Sequence, residues 1–446
     1  MSGDDPPPGR CGTIQWIMPV TGRLALTALV LLLVGPPALA QLPGRSKSPP
    51  KEAPATPAAK PGDLPAFRLG ALLPLTGTGA WFGKEIRQGV ELAMSDLNAR
   101  RADAAESGAS EEEAVSASRL TREEGLPAAG VTFSLEAANV PPLDVKRAAE
   151  EFSRLAAMSV AVVFTASATP ALAIHSLAAA RNILVFHEGI VTGRFPPASR
   201  TLVYARPSVA SIADAVLADA AAQKVRRLGL LAAGDEFGKA IRAAVAARWR
   251  ERGGTIAVEE SLVVESSDLT ARLRQVVRVA PEALVLGFRG TDLADLAVRL
   301  REVGYKGQLY LLDDDPGVRL AGGPALQGAA VVSDAFVPKT GPRAEQFADA
   351  YKRKFGDVPS RHAASAYDAV VLIAAAVRAA TRGDAPGLPG AVRLREALAG
   401  LRDVPSVYGG PLGVRDDGSL ARPLALFIVE DGKLTFARNL LPAGPS

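Results

Sequence analysis

Cysteine is nearly absent: the 446-residue chain has one, Cys11. It lies upstream of an apolar run, so a chain processed after that run has none. That excludes disulfides, thiol chemistry and a lipid-bearing cysteine at the processing site. Histidine is scarce too, with only His175, His187 and His362. A three-ligand metal site would need distant segments to converge, and nothing in the sequence suggests it. No H-E-x-x-H, P-loop or G-x-S-x-G elbow is present. Charge of one sign is barely in excess, 51 Lys and Arg against 47 Asp and Glu, without a basic block interleaved with aromatics. The sequence therefore carries no nucleic-acid footprint. Long hydrophobic runs are missing as well. Residues 24–34, "LALTALVLLLV", are too short to span a bilayer comfortably, and 369–377, "AVVLIAAAV", has the length of a core helix.

What is present begins with that first run. Arg23 precedes it, and "PPALAQ" follows with Ala38 and Ala40 at small-residue positions. This pattern predicts a secretory signal peptide, residues 1–40, cleaved after Ala40, with translation starting at Met1 or Met18. Residues 41–65 are rich in Pro, Ala and Lys and predict a flexible tether. The expected location is the periplasm. With 48% hydrophobic and 22% charged residues, the remaining chain can bury a full core.

From residue 66 the pattern alternates. Strand-length apolar runs fall at 67–73, 131–137, 160–164, 183–187, 226–232, 256–264, 283–287, 308–312 and 328–333. Helical patterns separate most of them, at 83–99, 143–157, 170–181, 208–223, 236–252, 268–279 and 291–303. Such alternation predicts an α/β protein with parallel sheets covered by helices. Nine strands point to two sheets. The breaks fall at "RTLVYARPSV", 200–209, and at "VSDAFVPKTGPR", 332–343. Two helical patterns follow, 343–355 and 361–381. Asp417-Gly418 and Asp431-Gly432 then predict antiparallel hairpins. Residues 100–129 are a polar, alanine-rich insertion that reads as a lid or an excursion.

The opening turn, "LGALLPLTGTGAWFGKEIRQG", resembles a dinucleotide turn, but Gly77, Gly79 and Gly83 read G-x-G-x-x-x-G. The acidic residue such a site needs about twenty positions on is missing, and Trp81 and Phe82 stand where small residues would be required. Open α/β sheets bind ligands at the carboxyl ends of their strands. "FTASATPAL" there offers Thr165, Ser167 and Thr169 at a helix start, with Thr169 as expected cap and Pro170 first in the helix. This arrangement suits a carboxylate, although taken alone it is more simply an ordinary cap. His187 and Glu188 leave the next strand. "GDEFG" carries Phe237 after an Asp235 cap, and "GFRG" carries Phe288. "LLDDDPG" carries Asp313, Asp314 and Asp315, of which at least two read as a solvated turn. Hydroxyls in one half and carboxylates in the other suit a small zwitterion between two lobes.

The order and spacing of these motifs, from about Phe67 to the end, resemble the periplasmic solute-binding proteins of branched-chain amino-acid (Leu/Ile/Val) ABC importers. "VAVVFTASATPALAIHSLAAARNILVF", "ALVLGFRGTDLADLAVRLREVGYKGQLYLLD" and "ASAYDAVVLIAAAV" carry the likeness with the opening motif. The resemblance implies a Venus-flytrap fold of two Rossmann-like lobes joined by three hinge crossovers. The first lobe would comprise 66–205 and 336–405, and the second 206–335 and 406–446. It implies ligand contacts at Trp81 or Phe82, a carboxylate site at Ser167 and Thr169 with Thr165 nearby, and aromatics at Phe237 and Phe288. Asp313, with Asp314 next, would meet a ligand ammonium. His187 and Glu188 replace the family's smaller residues, which leaves the ligand class open among amino acids, amides and aromatic or other organic acids. The implied role is that of a monomeric solute receptor delivering to a membrane permease, without catalysis, cofactor or metal. Two alternatives stay open: an exported sensor of the same fold signalling to a receptor partner, and, less favoured by the pattern, an NAD(P)-dependent oxidoreductase.

Overall fold

A computed structural model describes residues 65–77, 79–106, 131–189, 201–312, 316–381 and 388–440. All the described residues belong to one compact unit of the chain. The expected signal peptide and nearly all of the tether therefore lie outside the described residues.

The first sheet contains β1 (Ala66–Leu73), β2 (Thr132–Asn139), β3 (Val162–Thr165), β4 (Leu184–His187) and β5 (Leu202–Tyr204) in the order β2-β1-β3-β4-β5. All its pairings are parallel. Helices α1 (Ala80–Glu106), α2 (Val145–Ala157) and α3 (Ala168–Ala180) form the crossovers. The apolar spacing of α2 shows why these segments are helical. Ala148, Phe152 and Leu155 fall on one buried face, and Asp144 caps the start by accepting the Arg147 N–H at 2.9 Å.

The second sheet contains β6 (Arg227–Ala232), β7 (Thr255–Ser261), β8 (Ala283–Gly287), β9 (Gln308–Leu311), β10 (Ala330–Ser333), β14 (Leu424–Glu430) and β15 (Lys433–Leu440). Its order is β15-β14-β10-β9-β8-β6-β7, parallel from β7 to β10 and antiparallel at β14 and β15. Helices α4 (Val209–Ala222), α5 (Glu236–Glu251), α6 (Leu269–Val279), α7 (Gly290–Glu302) and α8 (Pro316–Gly322) belong to this half. The β14–β15 turn has Asp431 at φ 50° and Gly432 at φ 71°, the primed conformation that an Asp-Gly pair accommodates.

Between these halves the chain returns to the first lobe through α9 (Pro342–Phe355), α10 (Arg361–Thr381) and α11 (Ala391–Gly400). In α10, residues 363–377 are buried throughout. An all-round apolar helix has to sit inside a core. Its tight crossing with α1 depends on Gly89, where a Cβ would overlap the Ala363 carbonyl. Among the described residues, α10 alone is long and apolar enough to cross a membrane, and most of it is enclosed by protein.

Two expectations change. The polar stretch from residue 100 begins as more helix, since α1 runs to Glu106; residues 107–130 lie outside the described ones. The return to the second lobe was expected at 406, yet β11 (Val404–Pro405), β12 (Pro411–Val414) and β13 (Leu420–Ala421) form a small antiparallel sheet. Val404, Val407, Leu412, Val414 and Leu420 pack in the first lobe's core, so the final crossing comes at Arg422 and Pro423. The reason is apolar burial: these side chains face the core built around α10.

Candidate functional site

The chain leaves β5 and β10 at their carboxyl ends to cross between lobes, so the carboxyl ends of both parallel sets border the hinge. The opening turn lies at the end of β1. Asn139, at the end of β2, fixes it by accepting the Leu75 N–H at 2.8 Å and donating to Thr76 Oγ1 at 2.7 Å. Gly77 and Gly79 have φ of 69° and 84°, and a Cβ at Gly83 would overlap the Pro74 carbonyl. The glycines thus let a strand turn sharply into a helix. Trp81 is 62% exposed, an unusual setting for the largest aromatic side chain. Its ring meets Phe82 edge-on at 5.5 Å and His362 edge-on at 5.5 Å, and Phe82 meets His362 at 5.8 Å.

The hydroxyl loop differs in part from expectation. The cap of α3 is Ser167, not Thr169; the helix begins at Ala168 and places Thr169 and Pro170 in its first turn. Proline is tolerated there because the first four helical N–H groups lack intrahelical partners anyway. The Ser167 side chain makes no capping hydrogen bond. Thr165 is 1% exposed, and its Oγ1 lies 3.1 Å from His187 Nδ1. That hydroxyl serves the core rather than the cleft.

His187 is also a core residue, against the expectation of a ligand contact. Burial lowers its pKa to about 4, with the nearby Glu188 charge opposing the shift. A Cβ at Gly189 would overlap its ring, so the backbone after Glu188 packs directly on the imidazole. Glu188 is 9% exposed and lies beside His362, with 3.5 Å between Oε1 and Nδ1.

In the second lobe, Asp235 caps α5 by accepting the Gly238 N–H at 2.7 Å. Phe237 is buried in the first turn, and the Arg289 guanidinium covers its ring at 4.3 Å. Phe288 is 2% exposed and packs in the core with Leu286 and Leu293. Both aromatics were expected as ligand contacts; apolar burial places them in the core, and the exposed group is Arg289. Asp313 and Asp314 lie outside the described residues.

The most densely charged cluster escaped sequence reasoning. Asp334, on the second crossover, is buried and accepts two hydrogen bonds from Arg206 on the first, at 2.6 and 2.7 Å. Arg361, at the start of α10, donates to it at 3.0 Å, and Arg422, on the third crossover, at 3.4 Å. Burial alone would raise the Asp334 carboxyl, but the three guanidinium groups outweigh it and hold the pKa well below the usual range. The Arg422 guanidinium also stacks over Tyr408 at 4.0 Å. All three crossovers therefore meet at one carboxylate.

This two-lobed architecture matches known proteins. The periplasmic binding protein family profile covers residues 66–433, and the chain belongs to that family. Its fold is that of the type I periplasmic binding proteins. One similar structure is a branched-chain amino acid ABC transporter periplasmic ligand-binding protein from Burkholderia xenovorans. It is 18% identical with a TM-score of 0.65, over 84% of this chain and 96% of that one. Another is the branched-chain amino acid transporter substrate-binding protein LivJ from Streptococcus pneumoniae, solved with isoleucine. It is 18% identical with a TM-score of 0.57, over 84% and 100%. A third is an ABC transporter solute-binding protein from R. palustris, solved with benzoate. It is 16% identical with a TM-score of 0.55, over 85% and 98%. At such identities the likeness is one of fold.

Proposed function

We propose that the chain is the solute receptor of an ABC importer, exported to the periplasm after cleavage behind Ala40, which captures a small organic solute between its lobes and presents it to a permease. The observation that carries this reading is the exposed Trp81, set with Phe82 and His362 at the carboxyl end of β1 beside a three-strand hinge. An apolar wall kept open in this place suits a ligand body. Ser167, with no side-chain capping bond, and the start of α3 offer a polar site beside it. Glu188 adds a carboxylate. Capture needs no covalent step: solute contacts made only when both lobes meet shift the population toward the closed form. The isoleucine and benzoate held by the two structural neighbours mark solute classes to try first.

A thermal-unfolding panel of amino acids, amides and aromatic acids tests this function. A true ligand at a hundred times its dissociation constant should add roughly 2.7 kcal/mol of stability. A panel without a stabilising solute, together with micromolar binding of NAD(P), would replace the receptor with the nicotinamide enzyme.

A further inference from the structure

His362 is a third member of the Trp81–Phe82 wall, contributed by a distant part of the chain, the start of α10. Its backbone N–H donates to Ser360 Oγ at 3.1 Å, and that hydroxyl donates to Glu85 Oε2 at 2.5 Å. The start of α10 is therefore tied to α1, and the ring meets Trp81 edge-on and Phe82 at a tilt. Its Nδ1 and Glu188 Oε1 are both buried, lie 3.5 Å apart and have no hydrogen-bond partner. Glu188 is nine-tenths buried, and the nearby Arg206 is itself engaged with Asp334. At 3.5 Å from a carboxylate oxygen, a proton on Nδ1 is favoured over a lone pair, and that tautomer leaves the lone pair on Nε2. Nε2 makes no hydrogen bond among the described residues.

We propose that His362 determines the specificity of the cleft: Nε2 accepts an N–H from the solute's head group while the solute's apolar body lies against Trp81 and Phe82. This rests on the receptor reading above and narrows its substrate class to solutes bearing an N–H donor. The donor is carried by an amide or by an ammonium group. Glu188 acts through the imidazole as a positioning residue, holding the tautomer that accepts.

Calorimetric titration with benzamide, isoleucine and benzoate, and with any stabilising solute from the panel, tests it in the wild type, His362→Phe and His362→Gln. His362→Phe keeps the aromatic wall and removes the acceptor. It should weaken the bound N–H solutes by about tenfold or more, the loss expected when a ligand donor is left unpaired. His362→Gln offers an amide oxygen and should recover part of that loss; it also serves if the phenylalanine variant does not fold. The proposal is overturned if an N–H solute binds the phenylalanine variant as tightly as the wild type. It is also overturned if only solutes without an N–H, such as benzoate, bind, although the receptor reading then stands. Failure of every solute to bind counts against the receptor reading itself.

Discussion

Replacing Asp334 with alanine should lower folding stability by about 3–5 kcal/mol, the cost of removing one partner from a buried charge cluster. Arg206, Arg361 and Arg422 would lose their shared acceptor, and Arg422 is fully enclosed. The uncompensated charges would sit at the crossings between lobes, so loss of hinge order should accompany loss of stability. Urea unfolding of the variant measures the effect. Asn at the same position keeps acceptor geometry but not charge, and should fall between alanine and the wild type. A change below about 1 kcal/mol in the alanine variant would show that the cluster does not hold the hinge.

Stability should also fall between pH 6.5 and 4 because of His187. Above pH 6.5 the imidazole is neutral in both the folded and unfolded states. Between 6.5 and about 4 the unfolded chain binds a proton that the folded chain, with its lowered pKa, does not. The folded state is therefore penalised progressively as pH falls, and the loss levels off below about 4. At one pKa unit per 1.36 kcal/mol, the lowered value corresponds to roughly 3 kcal/mol. Asp334 loses its own contribution mainly at the acid end of this window and below it, as the unfolded carboxyl takes up a proton that the folded one refuses. Comparing unfolding free energies at pH 7 and pH 4 for the wild type and His187→Gln isolates the histidine from the exposed carboxylates. The variant should lose markedly less stability on acidification, and an equal loss would remove the role given to this burial.

The strands and helices were largely legible in the sequence because their apolar runs are short, periodic and separated by glycine and proline. Asp-Gly at 417 and 431 marked two hairpin turns for the same local reason. The direction of individual side chains was less legible. Phe288 and Trp81 both follow strand ends, yet one is in the core and the other is exposed. Composition and spacing do not say which way the chain turns after a strand. Thr165 could be placed at a strand end, but its hydroxyl's engagement with His187 depends on parallel pairing of β3 and β4. The Asp334 cluster was invisible because Arg206, Arg361 and Arg422 are far apart in the chain. Each alone reads as a solvated charge, and only the fold, through the three crossovers and the start of α10, brings them together. His362 was hidden likewise, since its partners Trp81, Phe82 and Glu188 come from two other segments.

Solute capture beside Trp81 can be read from its own fluorescence. Trp249, the other tryptophan after residue 40, is buried in the second lobe's core. In a Trp249→Phe variant beginning at Gln41, emission comes from Trp81 alone. Titrating that variant with a solute that stabilises it should shift or quench the emission, saturating with the affinity found by calorimetry. An unchanged spectrum at saturation would contradict the placement of the ligand against Trp81.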